Sequence, residues 1–349
     1  MEDVVAIHQG GWAYPSGYRD RSEYDSGGLQ VIVADGKKLL AGMYCSIEGR
    51  NRVDLRDAST GEVIDSYGYN KDWWNDPSEH FISFRWRGNS YVLHQNPQYG
   101  YCLKRVTAQG YEHTGHETRQ NDVVSALAPA VLDGKPAILV CSLDHAVFRD
   151  WRNADQVLSS WRAPEGWTRP DLVSIGGWPY AWLGYDVPNH IPLEDRWRVS
   201  AEHGSQLWDV IADAPVGAPL LPYGYQWGPW ILGERPVVLF KVKWRDVQLW
   251  DVARRQPLGP GLGDLDLQNP CVGFLHGRPA LAGTIGASLR IWDIGTGRLL
   301  GTVALPEKPI ATAVGAKDTA WAITRTGYVE SLTISATQIH PAATRHTLR

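Results

Sequence analysis

Three segments of this chain are near-copies of one another at a fixed interval. SQLWDVIADAPVG occupies Ser205–Gly217, VQLWDVARRQPLG occupies Val247–Gly259, and LRIWDIGTGRLLG occupies Leu289–Gly301. Trp208, Trp250 and Trp292 are each 42 residues apart. Repetition at this period narrows the fold more than any other feature. A unit of about 40 residues cannot bury its own apolar faces, so it must stack on neighbours of the same kind. A weaker copy, VDLRDASTGEVID, spans Val53–Asp65 with Arg56 in the tryptophan place.

A second signature precedes the copies. Gly, a charged residue and often Pro lead into an apolar run: DGKPAILV at Asp133–Val140, GERPVVLF at Gly233–Phe240, HGRPALAG at His276–Gly283, and DGKKLLAG at Asp35–Gly42. RGNSYVLH at Arg87–His94 and GGWPYAWL at Gly176–Leu183 are looser versions. The alternation within each run has period two, and the breaks are Gly, Pro, Asp and Asn. Each unit therefore reads strand, turn, strand, turn, strand ending in Trp-Asp, turn, short strand. No long segment carries helical periodicity.

The pairs Trp208-Asp209, Trp250-Asp251 and Trp292-Asp293, with Gly115-His116 in TGHETRQNDVVSALA, resemble the WD40 repeats abundant in actinobacterial proteins. The resemblance covers nearly the whole chain. It implies an all-β fold: a seven-bladed β-propeller of four-stranded antiparallel blades. The units run about 29–67, 78–117, 120–161, 170–219, 223–262, 268–305 and 309–335. The last unit has three strands, so Val4–Gln9 is expected to supply its fourth and close the ring. Residues 336–349 form a tail. The family's His-Ser/Thr-Asp-Trp hydrogen-bond network would be available to one blade, through His116, Ser142 and Asp144. The family's usual role, an interaction platform, is implied for this chain.

The bulk numbers exclude several classes. A net charge of −4 and the absence of a Lys/Arg run leave no electrostatic footprint for nucleic acid. Cys45, Cys102, Cys141 and Cys271 are widely spaced with no CxxC, which reads as buried free thiols rather than a zinc site or a disulfide framework. The start MEDVVAIHQGG has no basic n-region or long apolar core, so no signal peptide is expected. No apolar run approaches a membrane span of about 20 residues. A cytoplasmic protein is expected, with neither membrane nor nucleic acid as partner.

One number is unusual: 17 Trp and 15 Tyr against 5 Phe and 2 Met. Apolar volume alone does not require that bias, because Trp and Tyr add a polar handle and an electron-rich face. In a propeller, the connections between blades and those between second and third strands open at one end of the ring. Four such segments exceed a tight turn: Gly10–Gly28, Gly68–His80, Tyr185–Gly204 and Pro219–Trp230. They hold Trp12, Tyr14, Tyr18, Trp73, Trp74, Tyr185, Trp197, Tyr225, Trp227 and Trp230, which are the candidate ligand- or partner-binding residues. Asp72, Asp76 and Glu194 stand among them as candidate acids. Packed aromatics plugging a wide channel mouth would produce the same pattern.

No motif for nucleophilic, metal or phosphate chemistry is present. GxSxG and HExxH are absent, and GPGLGD at Gly259–Asp264 lacks the Lys-Ser/Thr and helix of a phosphate loop. His113 and His116 would face opposite ways on a strand, and neither Asp20–Gly28 nor Gly263–Pro270 completes a calcium loop. No metal and no cofactor are expected. Two functions remain. One is a binding platform that recognises a protein or peptide through an aromatic and acidic top face. The other is a small-molecule protein or enzyme of specialised metabolism, taking an aromatic or cationic metabolite. In that case a carboxylic acid kept protonated among rings would assist cyclisation or isomerisation.

Overall fold

The computed structural model describes residues 5–7, 28–45, 51–69, 81–96, 100–117, 126–142, 145–175, 178–185, 204–220, 224–242, 246–315, 318–324 and 329–335. Every regular element among them is a β-strand. Six sheets contain four strands running in sequence order from first to fourth, each pair antiparallel. Blade one is Gly28–Ala34, Lys37–Cys45, Asn51–Asp57 and Val63–Tyr69. Blade two is Phe81–Trp86, Asn89–Asn96, Gly100–Thr107 and Gly110–Glu117. The first strands of blades three to seven begin at Ala126, Trp167, Gly224, Gln268 and Pro309. Blade seven has three described strands, ending with Val329–Thr333.

Each first strand packs against the first strands of both neighbouring blades, and blade seven packs against blade one, so the sheets form a closed ring. The molecule is a seven-bladed β-propeller. Its core is divided accordingly into seven apolar clusters, one between each pair of adjacent blades. Ile32, Leu39, Val53, Phe81 and Val92 fill the gap between blades one and two. Leu29, Leu40, Ile310, Trp321 and Ile323 close the ring between blades seven and one. Both faces of a blade are thus buried, and that burial is the force a single repeat lacks.

Turn chemistry explains the repeat signatures. Between first and second strands, Asp35-Gly36, Arg87-Gly88, Asp133-Gly134 and His276-Gly277 all have positive φ at both positions. That pair of conformations makes the two-residue turn whose twist matches the flanking strands, which is why Gly recurs there. Between third and fourth strands, the Asp after the repeat tryptophan caps the turn. Asp293 Oδ1 accepts from the Thr296 amide at 2.8 Å, Asp251 Oδ1 from Arg254 at 2.8 Å, and Asp209 Oδ1 from Ala212 at 2.8 Å. Asp57 and Asp150 do the same for Ser59 and Arg152, in blades that have Arg where the others have Trp.

The N-terminal strand is not where the repeat count placed it. Val5–Ile7 pairs antiparallel with Phe81–Trp86, with Ala6 opposite Phe84, and not with Val329–Thr333. It therefore lies on the channel edge of blade two rather than on the outer edge of blade seven. Every first strand presents a row of backbone groups to the channel, and a short extended segment can satisfy them as well as an outer edge can.

Candidate binding face and the polar cluster beneath it

Because the strands of each blade alternate in direction, connections from a fourth strand to the next first strand leave one end of the ring. Connections from second to third strands leave the same end. Segments 8–27, 70–80 and 186–203 all belong to this end, entering Gly28, joining Tyr69 to Phe81, and joining Tyr185 to the third strand of blade four. Trp12, Tyr14, Tyr18, Asp72, Trp73, Trp74, Asp76, Glu194 and Trp197 lie outside the described residues. Tyr185 ends the second strand of blade four opposite Trp167, and Tyr225 stands opposite Lys241; only their backbones are described.

Trp227 and Trp230 share the first strand of blade five. Three residues apart on a regular strand they would face opposite sides. A register shift between them, at Gly228-Pro229, turns both into the cluster between blades five and six. Trp227 stays half-exposed. Trp230 is 1% exposed and packs against that core, so its ring offers no face to a ligand. Much of the aromatic excess elsewhere is also packing. Trp151 meets Phe84 and Tyr91 edge-on at 5.2 and 5.0 Å between blades two and three.

At the same end of blade two, where the first strand begins at Phe81, lies a set of polar side chains. Phe81 faces His94 across the first pair of strands, and His94 faces Cys102 across the second. Cys102 Sγ lies 2.8 Å from His94 Nε2, and both residues are buried. The imidazole is flanked by the rings of Tyr67 from blade one, at 5.3 Å, and Phe81, at 6.5 Å. Lys104, two residues along the same strand face, places its ammonium 4.4 Å above the Tyr67 ring and 3.3 Å from His113 Nε2.

The fourth strand bulges beside this set. Lys104 pairs with His113 but Cys102 pairs with Glu117, so three residues, Thr114 to His116, stand opposite Leu103 alone. Thr114 Oγ1 donates to the Leu103 carbonyl at 2.6 Å and holds the bulge. Tyr111 crosses Tyr67 edge-on at 5.0 Å. Burial holds its phenol well above the usual value, and the charges of Asp54, Asp65 and Cys102 act in the same direction.

His94, Cys102, Lys104 and Tyr67 were not among the candidate site residues. A signal for the first two exists: they are equidistant from position 98, the centre of the turn in HQNPQYGYC, so a hairpin there puts them side by side. Cys102, Cys141 and Cys271 are buried and outside any disulfide, as their wide spacing implied; the Cys45 side chain lies outside the described residues. No group of three or more metal-ligating side chains occurs among the described residues, and no described helix is long and apolar enough to cross a membrane.

No protein-family model matches the chain, and no curated protein matches it in sequence. Solved structures do. The β-propeller domain of Cps50 (Swd1) from Myceliophteria thermophila is 11% identical with a TM-score of 0.58, covering 95% of this chain and 100% of that one. BBS1N, crystallised in complex with ARL6DN, is 8% identical with a TM-score of 0.54, covering 96% and 99%. At these identities the likeness is one of fold alone.

Proposed function

We propose that this chain is a binding scaffold that recognises a protein or peptide through the end of the ring carrying segments 8–27, 70–80 and 186–203. One observation supports this reading above the others. Between strands that otherwise follow a repeat with short turns, the long aromatic and acidic segments all join the ring at one end. Rigid scaffolds with long loops at one end place function in those loops, and Trp and Tyr dominate the energetics of interfaces. BBS1N, of the same fold, was crystallised with a protein partner, in keeping with the reading. Trp73, Trp74 and Trp197 are the anchors, with Asp72, Asp76 and Glu194 selecting a partner that presents cationic groups.

The second reading is a pocket for a small aromatic or cationic metabolite. It rests on the Trp and Tyr content of the same segments, since the faces of those rings attract cations.

Affinity capture from the protein's own cell extract separates the two. The wild type is compared with the Trp73→Ala/Trp74→Ala variant, after both are shown to melt alike, and captured proteins and small molecules are read by mass spectrometry. A protein lost with the variant is the expected result. A small molecule lost instead favours the second reading, and identical lists from both baits contradict the placement of the site.

A further inference from the structure

We propose that Cys102 is a thiol poised to react with small hydroperoxides, with His94 as the base that takes its proton. A nucleophile and base within about 2.6–3.2 Å, with the base held by further groups, is the arrangement that activates a side-chain nucleophile. Here Cys102 Sγ and His94 Nε2 are 2.8 Å apart, and the rings of Tyr67 and Phe81 pack tilted against the imidazole. Lys104, also buried, stands two residues along the same strand face.

Burial selects the substrate. Cys102 is 3% exposed, which bars a bulky electrophile, so the proposed oxidant is one near the size of water, such as hydrogen peroxide. In the step, the thiolate sulfur attacks one peroxide oxygen, an S–O bond forms and the O–O bond breaks. The sulfur is oxidised by two electrons. The thiol proton, held on His94, passes to the departing hydroxide, so thiol and peroxide give sulfenic acid and water. The oxidised sulfur sits across from His94 and, beyond it, Phe81, where segment 70–80 rejoins the ring.

Two other buried cysteines serve as internal controls. Cys141 is packed in the apolar cluster between blades three and four. Cys271 accepts from Thr312 Oγ1 at 3.2 Å, and burial pushes its thiol up to about 12. The folded protein is exposed to hydrogen peroxide with dimedone present, and sulfenic acid at each cysteine is followed by peptide mass spectrometry. A base placed within hydrogen-bond reach of its nucleophile contributes about a hundredfold or more, and among the three Cys102 has His94 at its sulfur, so Cys102 is expected to label at least about tenfold faster than Cys141 and Cys271. The His94→Gln variant, melting as the wild type does, is expected to lose that excess. Equal labelling of the three cysteines overturns the proposal, as does an undiminished rate in His94→Gln. Should that variant unfold, the comparison within the wild-type protein decides alone.

Discussion

The guanidinium of Arg149 donates to the carbonyl of Ala154 at 2.8 Å, across the turn between the third and fourth strands of blade three. Arg56 does the same in blade one, reaching the Gly61 carbonyl at 3.2 Å. Both occupy the position that holds Trp in blades four to six. The arginines therefore do two things at this position: the guanidinium satisfies a turn carbonyl, and the stem still packs. Replacing Arg149 by Met keeps the stem and removes the donor. A loss of about 1–3 kcal/mol is expected for the orphaned buried carbonyl, read as a lower urea midpoint.

Asp293 joins two elements. It caps its own turn at Thr296 and pairs with Arg278 of the second strand at 3.3 Å, while almost wholly buried. Asp293→Ala removes the cap and the ion pair to Arg278, at an expected cost of about 1–3 kcal/mol. Asp57→Ala, on a more exposed turn, is expected to cost clearly less. Thermal melts of the two variants side by side check the order.

These turns show why the architecture was legible before the structure. Asp at the end of the third strand and Gly in the first hairpin are demanded by backbone geometry, so they recur even where Trp has drifted to Arg. The position of Val5–Ile7 was not legible, because a short apolar strand fits any open backbone edge. Nor was the burial of Trp230, since a register shift at Gly228-Pro229 leaves no trace in a pattern of alternation. His94 and Cys102 escaped notice because they belong to different strands and no local motif joins them.

Trp230→Ala tests the distinction between packing and surface. Emptying its place between blades five and six is expected to cost about 3–5 kcal/mol. Trp227→Ala, where the ring is half-exposed, is expected to cost clearly less. Equal losses in denaturant titrations would contradict the burial difference.

The N-terminal strand predicts a pattern of amide exchange. With Val5–Ile7 in place, the channel edge of Ser83–Arg85 is paired. Deleting residues 1–9 is expected to speed exchange there and leave the edges facing Asn89–Asn96 unchanged. Protection that survives the deletion would place the strand elsewhere.

Alkaline stability follows from two groups. Burial holds the Cys271 thiol at about 12 and the Tyr111 phenol well above 10. Their folded values exceed the unfolded ones, so their contribution is complete at low pH and is lost as the pH rises. The unfolded chain releases its protons first, from about pH 8.5 for the thiol and about pH 10 for the phenol. Denaturant midpoints are expected to fall from about pH 9 upward, and Cys271→Ala to flatten the lower part of that fall.

The central claim is that one end of the ring binds the partner. Hydrogen–deuterium exchange on the captured complex tests it most directly, since it reports every segment at once. The account predicts new protection in segments 8–27, 70–80 and 186–203, and none at the opposite turns Asp35-Gly36, Asp133-Gly134 and His276-Gly277. Protection confined to those opposite turns would contradict it.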